Sequence, residues 1–438
     1  MSAETAHRES AAAVGTERGE PEILQDPALR GGLGGLRDRA AAALGLLDRP
    51  LTSYYLVLGI TLLLLPLGLV MVLSTSTAYA LLHHLPLYGG FEKQLVGVIV
   101  GLVLMWVASK SPPRLFRALA YPLLVLSLVG LVAVLAVGQT VGGGTRWIAI
   151  AGFDVQPSEF AKLAFVLWGA DLLARKEKFG QLTDWRQLLI PLMPGVTVIC
   201  MLVMMGNDIG TTFLLLVIFL SLLWVFGTPG KLFFGMLALM VFALMALIIV
   251  SPYAMNRITG YLNPQALASS SGWQTIQGKY AIGSGGLFGV GLGAGGGKWG
   301  WVPESTTDFI FAILGEELGL VGTMCVALLY GGLAFAGLRI ARRVTDTFMR
   351  LAAAATTAWI VVQALVNIGA VLGVLPITGV PLPLISAGLS SLLVTMAALG
   401  MLMAFARREP GAEQALAAAG PGVPRRILSW LGLGRGRR

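Results

Sequence analysis

Charged side chains are scarce in the apolar part of this chain, so those that occur there can be weighed singly. Asp308 closes a glycine-rich stretch, 283–307, and opens an apolar run in which Glu316 and Glu317 follow about two turns later. Ionisable groups inside apolar segments are expensive and mark sites where something uses them. Asp308 has no opposite charge within four positions. It reads as a general base, or as an N-cap carboxylate that bonds free amides and is favoured by the helix dipole. Glu159 and Lys162 stand three apart and share a helical face. They read as an intrahelical pair that lowers the cost of insertion, or as part of a binding site. At least one of Glu316 and Glu317 must face the protein interior, where a structural partner is the simpler role. The other ionisable groups on this side of the chain are Arg146, Asp154, Asp208, Arg257, Lys279, Lys298 and Glu304.

Several chemistries are disfavoured. The only histidines are His7, His83 and His84, which argues against a His-based zinc site or a Ser-His-Asp triad. The glycines at 283–297 permit close backbone approach to a ligand, but no GxxxxGK[ST] is present and no strand pattern precedes them. Acid–base work therefore falls to carboxylates.

The elements that must position these groups are membrane helices. Of 438 residues, 56% are hydrophobic and 12% charged, and mean hydropathy is +0.80; a soluble domain carries about 25% charged residues. The apolar runs are continuous rather than alternating, which predicts an all-α polytopic membrane protein and not a barrel. Ten spans of near the ~20 residues a bilayer needs are expected at about 54–74, 95–109, 117–137, 158–174, 187–205, 209–227, 231–251, 308–338, 350–374 and 384–406. The 308–338 segment is long enough to be tilted or broken.

Flanking these spans, 1–50 reads as a disordered cytoplasmic tail with a short surface helix at 36–47. Residues 409–438 form a basic cytoplasmic tail, read either as lying on anionic lipid or as disordered. No apolar h-region precedes the spans, so no cleavable signal peptide is expected. Cys200 and Cys325 lie inside apolar runs and exclude a disulfide framework.

Basic residues set the orientation. One alternate set of loops holds Lys110, Arg114, Arg117, Arg175, Lys176, Lys178, Arg186, Lys231, Arg339, Arg342, Arg343, Arg350, Arg407 and Arg408. The other holds only Lys93, Arg146, Arg257, Lys279 and Lys298. The first set is assigned to the cytoplasm together with both termini. The net charge of +9 is thus a topology signal, not a nucleic-acid patch. The largest outer loop, 252–307, carries Tyr253, Tyr261, Trp273, Tyr280, Trp299 and Trp301; these argue against disorder and suit the headgroup level.

Five motifs in order, RWIAIAGFDVQPSEFAKLAF (146–165), NDIGTT (207–212), GWQTIQGKYAIGSGGLFGVGLG (272–293), PESTTDFIFAILGEELGLVG (303–322) and LPITGVPLPLISAGLSS (375–391), resemble the SEDS family of shape, elongation, division and sporulation proteins. The resemblance covers about 54–408. It is nearest to the division members, since Lys298 stands between GLG and the PE motif; elongation and sporulation members remain alternatives.

The resemblance implies a peptidoglycan glycosyltransferase that polymerises lipid II at the outer face of the plasma membrane. It further implies a class B penicillin-binding protein transpeptidase and other division proteins as partners, and a place at the septum. Asp308, in Thr307-Asp308-Phe309, takes the family's catalytic aspartate position. Gln156, Ser158, Glu159 and Lys162 match its QPSE..K motif, and Arg146 its RWI motif. Two departures stand out: Thr306 replaces a frequent His before TDF, and Ser386-Ala387-Gly388-Leu389-Ser390-Ser391 replaces SYGGSS.

The implied reaction joins the C4 hydroxyl of an acceptor sugar to the anomeric carbon of a donor and expels a lipid pyrophosphate. Asp308 is the candidate base, with burial raising its pKa. Arg146, Lys162 and Lys298 are candidates to neutralise the pyrophosphate. A divalent cation, Mg or Mn, is an expectation without a dense ligand cluster behind it. The rival readings are a lipid flippase or transporter, against which the lack of a visible inverted repeat counts, and a non-catalytic division scaffold.

Overall fold

The computed structural model describes residues 50–141, 143–150, 152–178, 185–267 and 271–418. The expected tail at 1–50, save its last residue, and the basic segment 419–438 lie outside them. The helices are α1 (Thr52–Leu82), α2 (Gly89–Lys110), α3 (Pro113–Val137), α4 (Pro157–Lys178), α5 (Trp185–Met205), α6 (Ile209–Phe226), α7 (Gly230–Val250), α8 (Pro252–Leu262), α9 (Ser271–Gly285), α10 (Ile310–Arg343), α11 (Thr347–Val371), α12 (Leu389–Ala406) and α13 (Ala412–Ala418). Each of the ten expected segments falls largely on one of them. Among the described residues eight helices can cross a membrane by length and composition: α1, α2, α3, α6, α7, α10, α11 and α12. α4 fails that test because it carries Glu159, Lys162, Asp171, Arg175, Lys176, Glu177 and Lys178. In α5 the described residues from Pro191 to Met205 are apolar, and Leu188, Leu189 and Ile190 extend that run toward its start.

Small residues decide the closest packing. α2 and α12 form a tight helix pair. A Cβ on Gly101 would lie 2.3 Å from Met396 Sδ, and one on Gly400 2.5 Å from the Met105 carbonyl. Backbones can approach this closely only where side chains are absent. α11 is the centre: its Ala352–Ala355 run is fully buried, as is Trp359, and it packs on α4, α6 and α10. By contrast no residue of α7 is buried. In a bilayer that helix presents its apolar surface to lipid.

Two features were not foreseen. Residues 139–155 form a three-stranded antiparallel meander, β1 (Gln139–Val141), β2 (Gly144–Ile150) and β3 (Phe153–Val155), with Thr140 opposite Thr145 and Ala149 opposite Asp154. The outer loop 252–307 is not irregular throughout, since α8 and α9 occupy much of it.

The long α10 is broken, as its length suggested. Gly319 has φ 67° and ψ −165°, leaving a short N-terminal half that carries Glu316 and Glu317 and a longer C-terminal half. The glycine loop closes the gap. Val290 and Gly291 amides donate to the Glu316 and Glu317 carbonyls, and Leu320 and Val321 amides donate to the Gly286 and Leu287 carbonyls. Gly289 is required there: its φ is +81°, and a Cβ would fall 2.1 Å from the Glu317 carbonyl oxygen. Gly289→Ala should therefore cost about 1–3 kcal/mol, seen as a lower unfolding temperature in detergent. Gly283→Ala, where a Cβ meets nothing, should leave that temperature unchanged.

Candidate functional site

Asp308 sits just before α10 in a turn fixed at both ends by backbone bonds. The Thr307 and Phe309 amides donate to the Glu304 carbonyl, and Ala387 N donates to the Thr306 carbonyl. Ser386 Oγ donates to the Thr307 carbonyl at 2.5 Å and accepts from the Leu382 amide at 2.8 Å. Asn367 of α11 donates from Nδ2 to the Asp308 and Val380 carbonyls, both at 2.8 Å. The aspartate and the segment 375–388 thus form one stitched unit.

The electrostatics around Asp308 pull in two directions. Burial raises its carboxyl pKa to about 7; the Glu304 carboxylate adds to the rise, and the Arg257 guanidinium opposes it. Thr307 Oγ1 donates to Glu304 Oε2 at 2.7 Å and reaches Asp308 Oδ1 at 3.4 Å. Glu304 holds φ 53°, a strained conformation for a side-chain-bearing residue.

Arg257, whose charge acts on Asp308, also lines an apolar cleft of about 190 Å³ together with Arg146; Phe213, Leu244, Ile248, Val366 and Leu375 supply apolar wall. β2 carries Arg146, whose Nη2 donates to the Asn207 carbonyl and whose guanidinium stands 5.9 Å from the Trp147 ring. α8 carries Arg257, whose Nη1 donates to the Ile377 carbonyl at 3.3 Å. Both guanidinium groups converge on Gly379 (φ +72°), where an added Cβ would lie 3.1 Å from Arg257 Nη1 and 3.7 Å from Arg146 Nη1. An anionic head with an apolar tail matches this lining.

The other candidates lie elsewhere. Lys162 and Glu159 form a fully enclosed pair at 2.9 Å. The Lys162 ammonium also donates to Gln363 Oε1 at 3.0 Å and stands 5.0 Å from the Trp359 ring. Gln363 passes the connection on, donating to the Pro381 carbonyl at 2.9 Å. Lys298 donates to Ser74 Oγ, the Gly293 carbonyl and Glu317 Oε1 at 2.8, 2.6 and 2.8 Å. Those three bonds use all three ammonium donors, so this conformation leaves none for a pyrophosphate. Glu316 accepts from the Gly296 and Gly297 amides, a structural part like that of Glu317. Gln156 Nε2 and Ser158 Oγ both donate to Asp208 Oδ2 at 3.1 Å; Asp208 in turn caps α6 by accepting from Thr211 N. The structure therefore links Asp308 and Arg146 through Arg257 and its cleft and places Glu159, Lys162, Lys298, Gln156 and Ser158 in supporting networks.

Sequence reasoning did not select Arg257, Glu304, Asn367 or Gln363 for the site. A signal existed for two of them: Gln363 and Asn367 stand four apart in an apolar helix, hence on one face. Arg257 is the single charge of α8, yet nothing in the sequence shows which loop that helix faces. Among the described residues no group of three or more His, Cys, Asp or Glu could hold a metal.

The enclosed pair gives a test of role. Lys162→Met should leave Glu159 buried and unpaired and destabilise the protein by ~3–5 kcal/mol, measured by thermal unfolding in detergent. Combining it with Glu159→Gln should recover most of that loss. A Lys162→Met protein of unchanged stability that has lost only activity would instead place the lysine on the substrate.

Comparison with known proteins follows the same lines. The family described as Cell cycle protein, FtsW/RodA/SpoVE, matches residues 54–410. A Mycobacterium tuberculosis protein named Probable peptidoglycan glycosyltransferase FtsW is 40% identical over 414 residues, covering 94% of this chain and 77% of its own. Stage V sporulation protein E of Bacillus subtilis is 36% identical over 356 residues, covering 80% of this chain and 96% of its own. Among solved structures, a chain from work described as "Structural coordination of polymerization and crosslinking by a peptidoglycan synthase complex" superposes with TM-score 0.65 at 27% identity, over 82% of this chain and 98% of that one. The Thermus thermophilus rod shape determining protein RodA gives TM-score 0.59 at 27% identity, over 83% and 98%.

Proposed function

Because the chain belongs to the FtsW/RodA/SpoVE family of cell cycle proteins, we propose that it is a multi-pass membrane peptidoglycan glycosyltransferase, polymerising lipid II for the septal wall in division, with Asp308 as its base. The observation that carries the residue assignment is a carboxyl of raised pKa within the influence of Arg257, which lines an apolar cleft together with Arg146. In the reaction the C4 hydroxyl of one sugar attacks the anomeric carbon of another. The hydroxyl proton passes to Asp308, the bond from the anomeric carbon to the pyrophosphate oxygen breaks, and the lipid pyrophosphate leaves with the bonding pair. A carboxyl of pKa about 7 is near the optimum for such a base at neutral pH.

The leaving-group role moves from the lysines to Arg146 and Arg257. Planar guanidinium groups contact pyrophosphate oxygens in pairs, and the apolar wall accommodates the start of a prenyl tail. A divalent cation, Mg or Mn, fits only with help from the substrate. With Asp308 assigned to the proton, Glu304 is the carboxylate of this turn left to hold such an ion, and Mg sites commonly combine one or two carboxylates with phosphate oxygens. Such an ion would neutralise charge on the departing pyrophosphate.

Loop charge supports the orientation. Arginines of the basic set bond to residues at the ends of neighbouring helices: Arg117 to Asp346 at 3.5 Å, Arg350 to Glu177 at 3.3 Å, and Arg407 to the Ser109 carbonyl at 3.1 Å. Basic ends face the cytoplasm, which supports a reading with Asp308 and the cleft outside and both termini inside; the septal membrane is the place that a division role calls for. A class B penicillin-binding protein is the fitting partner, in keeping with the polymerization and crosslinking that the superposing structure's description joins.

Three expectations test the assignment, using purified protein, the transpeptidase partner and lipid II. Asp308→Asn should form no polymer, and equal polymer from the two proteins would overturn the base assignment. Wild-type rate should rise with pH through about 7, since only the ionised carboxylate accepts a proton. Glu304→Gln should shift that midpoint down, because it removes a repelling charge, and Arg257→Ala should shift it up. Polymer formation in detergent, where no two sides exist, separates synthesis from flipping.

A further inference from the structure

The glycine loop presents a surface that the proposed reaction does not use. From 283 to 301 it has one charge, Lys298, and that ammonium is buried against Glu317. What the loop shows outward is apolar: Leu287 is 62% exposed, Phe288 81%, and Val290 and Leu292 are also exposed. An exposed apolar patch of this kind marks an interaction surface.

Its depth can be read from two helices. The loop bonds to α10 at residues 316–321, six or more residues past the helix start at Ile310 and so ~9 Å or more along its axis. Ser74 of α1 meets the same level, since its Oγ donates to Glu317 Oε1 at 2.7 Å. From Ser74 to the end of α1 at Leu82 are eight residues, ~12 Å. Above that level α1 still exposes Tyr79, Leu81 and Leu82, while α10 exposes Leu320 and Val321 at it and Met324 and Leu328 below it. Apolar surface thus continues above and below the loop tip. Next to it stand the exposed rings of Tyr280, Trp299 and Trp301, with Gly300 beside Leu82 near the end of α1; such rings gather at the headgroup level.

We propose that the loop tip, 286–292, is a lipid-contacting surface, with Leu287, Phe288, Val290 and Leu292 facing the acyl chains of the leaflet on the Asp308 side. Non-helical backbone at that depth must have its polar groups bonded. The tip meets this condition toward α10 through the four bonds that bridge the Gly319 break, and through Gly289 N to the Gly285 carbonyl at 2.8 Å. The side chains supply no group that a water-facing partner would need. Acyl chains also match the uncharged, continuous surface of α1 and α10 on either side. The loop then fixes the height at which Asp308 rides relative to the membrane.

The test uses the full-length protein in nanodiscs, with a bimane label at Phe288→Cys and, separately, at Leu292→Cys, in a Cys200→Ser, Cys325→Ser background. Quenching by doxyl groups on lipid acyl chains should exceed quenching by aqueous iodide several times at both positions. Gln265→Cys, on an exposed residue of the same outer loop, should show the reverse. The natural Cys325, exposed on α10, is the lipid control, labelled in a Cys200→Ser protein. Iodide quenching at Phe288→Cys and Leu292→Cys equal to that at Gln265→Cys would overturn the proposal. So would quenching by neither agent, the outcome if a protein helix covers the tip. Failure of the Cys325 control would count against the membrane placement of α10 itself.

Discussion

Asn367 makes the connection on which the Asp308 end of this protein depends. One side-chain amide on the most central helix holds two backbone carbonyls, those of Asp308 and Val380. Irregular backbone within a membrane-level bundle carries polar groups that hydrocarbon cannot satisfy. Here two irregular segments meet, the approach to α10 and the segment 375–388, and α11 supplies partners to both. Gln363, one turn away, repeats the device with the Pro381 carbonyl. Tyr330 of α10 adds a third bond, from its hydroxyl to the Pro383 carbonyl. The catalytic candidate is therefore placed by its backbone, which leaves its carboxylate available for chemistry.

The two buried lysines follow from the same constraint. An ammonium enclosed at this depth is tolerated where its donors are used and its charge is matched. Lys162 meets this with Glu159 and Gln363, and Lys298 with Glu317, Ser74 and a carbonyl. Each of these networks ties distant parts of the chain together, so charge here acts as a fastener. The arginines behave differently because their forked, weakly hydrated heads can keep backbone contacts and still line a cleft.

That distinction marks the limit of what the residues disclosed before folding. The helices were legible, because continuous apolar runs of bilayer length have few other uses. The break in α10 was foreshadowed by its length. Asp308 stood out through its isolation from any opposite charge and its place after a glycine-rich stretch. Lys162 and Lys298 could not be sorted from Arg146 by type or spacing, because the groups that engage them, Gln363 and Ser74, are 201 and 224 residues away. Arg257 was hidden for the same reason: its relation to Asp308 and to Gly379 exists only once α8 has packed over the segment 375–388. The meander at 139–155 escaped notice since its strands are short and its exposed positions mix Gln139, Thr140 and Asp154 with Ala149 and Ile150, so no alternation announced it.

Strain concentrates where these segments meet. Glu304 and Leu384 hold positive φ values of 53° and 67° on the two sides of the stitched unit, a conformation that costs side-chain-bearing residues of order 1–3 kcal/mol. Such angles persist only when their surroundings over-determine them. Around Glu304 the fixing bonds are those from Thr307 and Phe309 to its carbonyl. Around Leu384 they are the bonds at Leu382 and Pro383, together with α1, whose Gly68 packs so closely that a Cβ would fall 2.5 Å from the Leu384 carbonyl. The strained turn at Glu304 sets one carboxylate beside another, and the repulsion between them is part of what keeps Asp308 protonated until near neutral pH. Burial is the larger cause of that raised proton affinity, and the turn at Glu304 adds to it by holding a second carboxylate nearby.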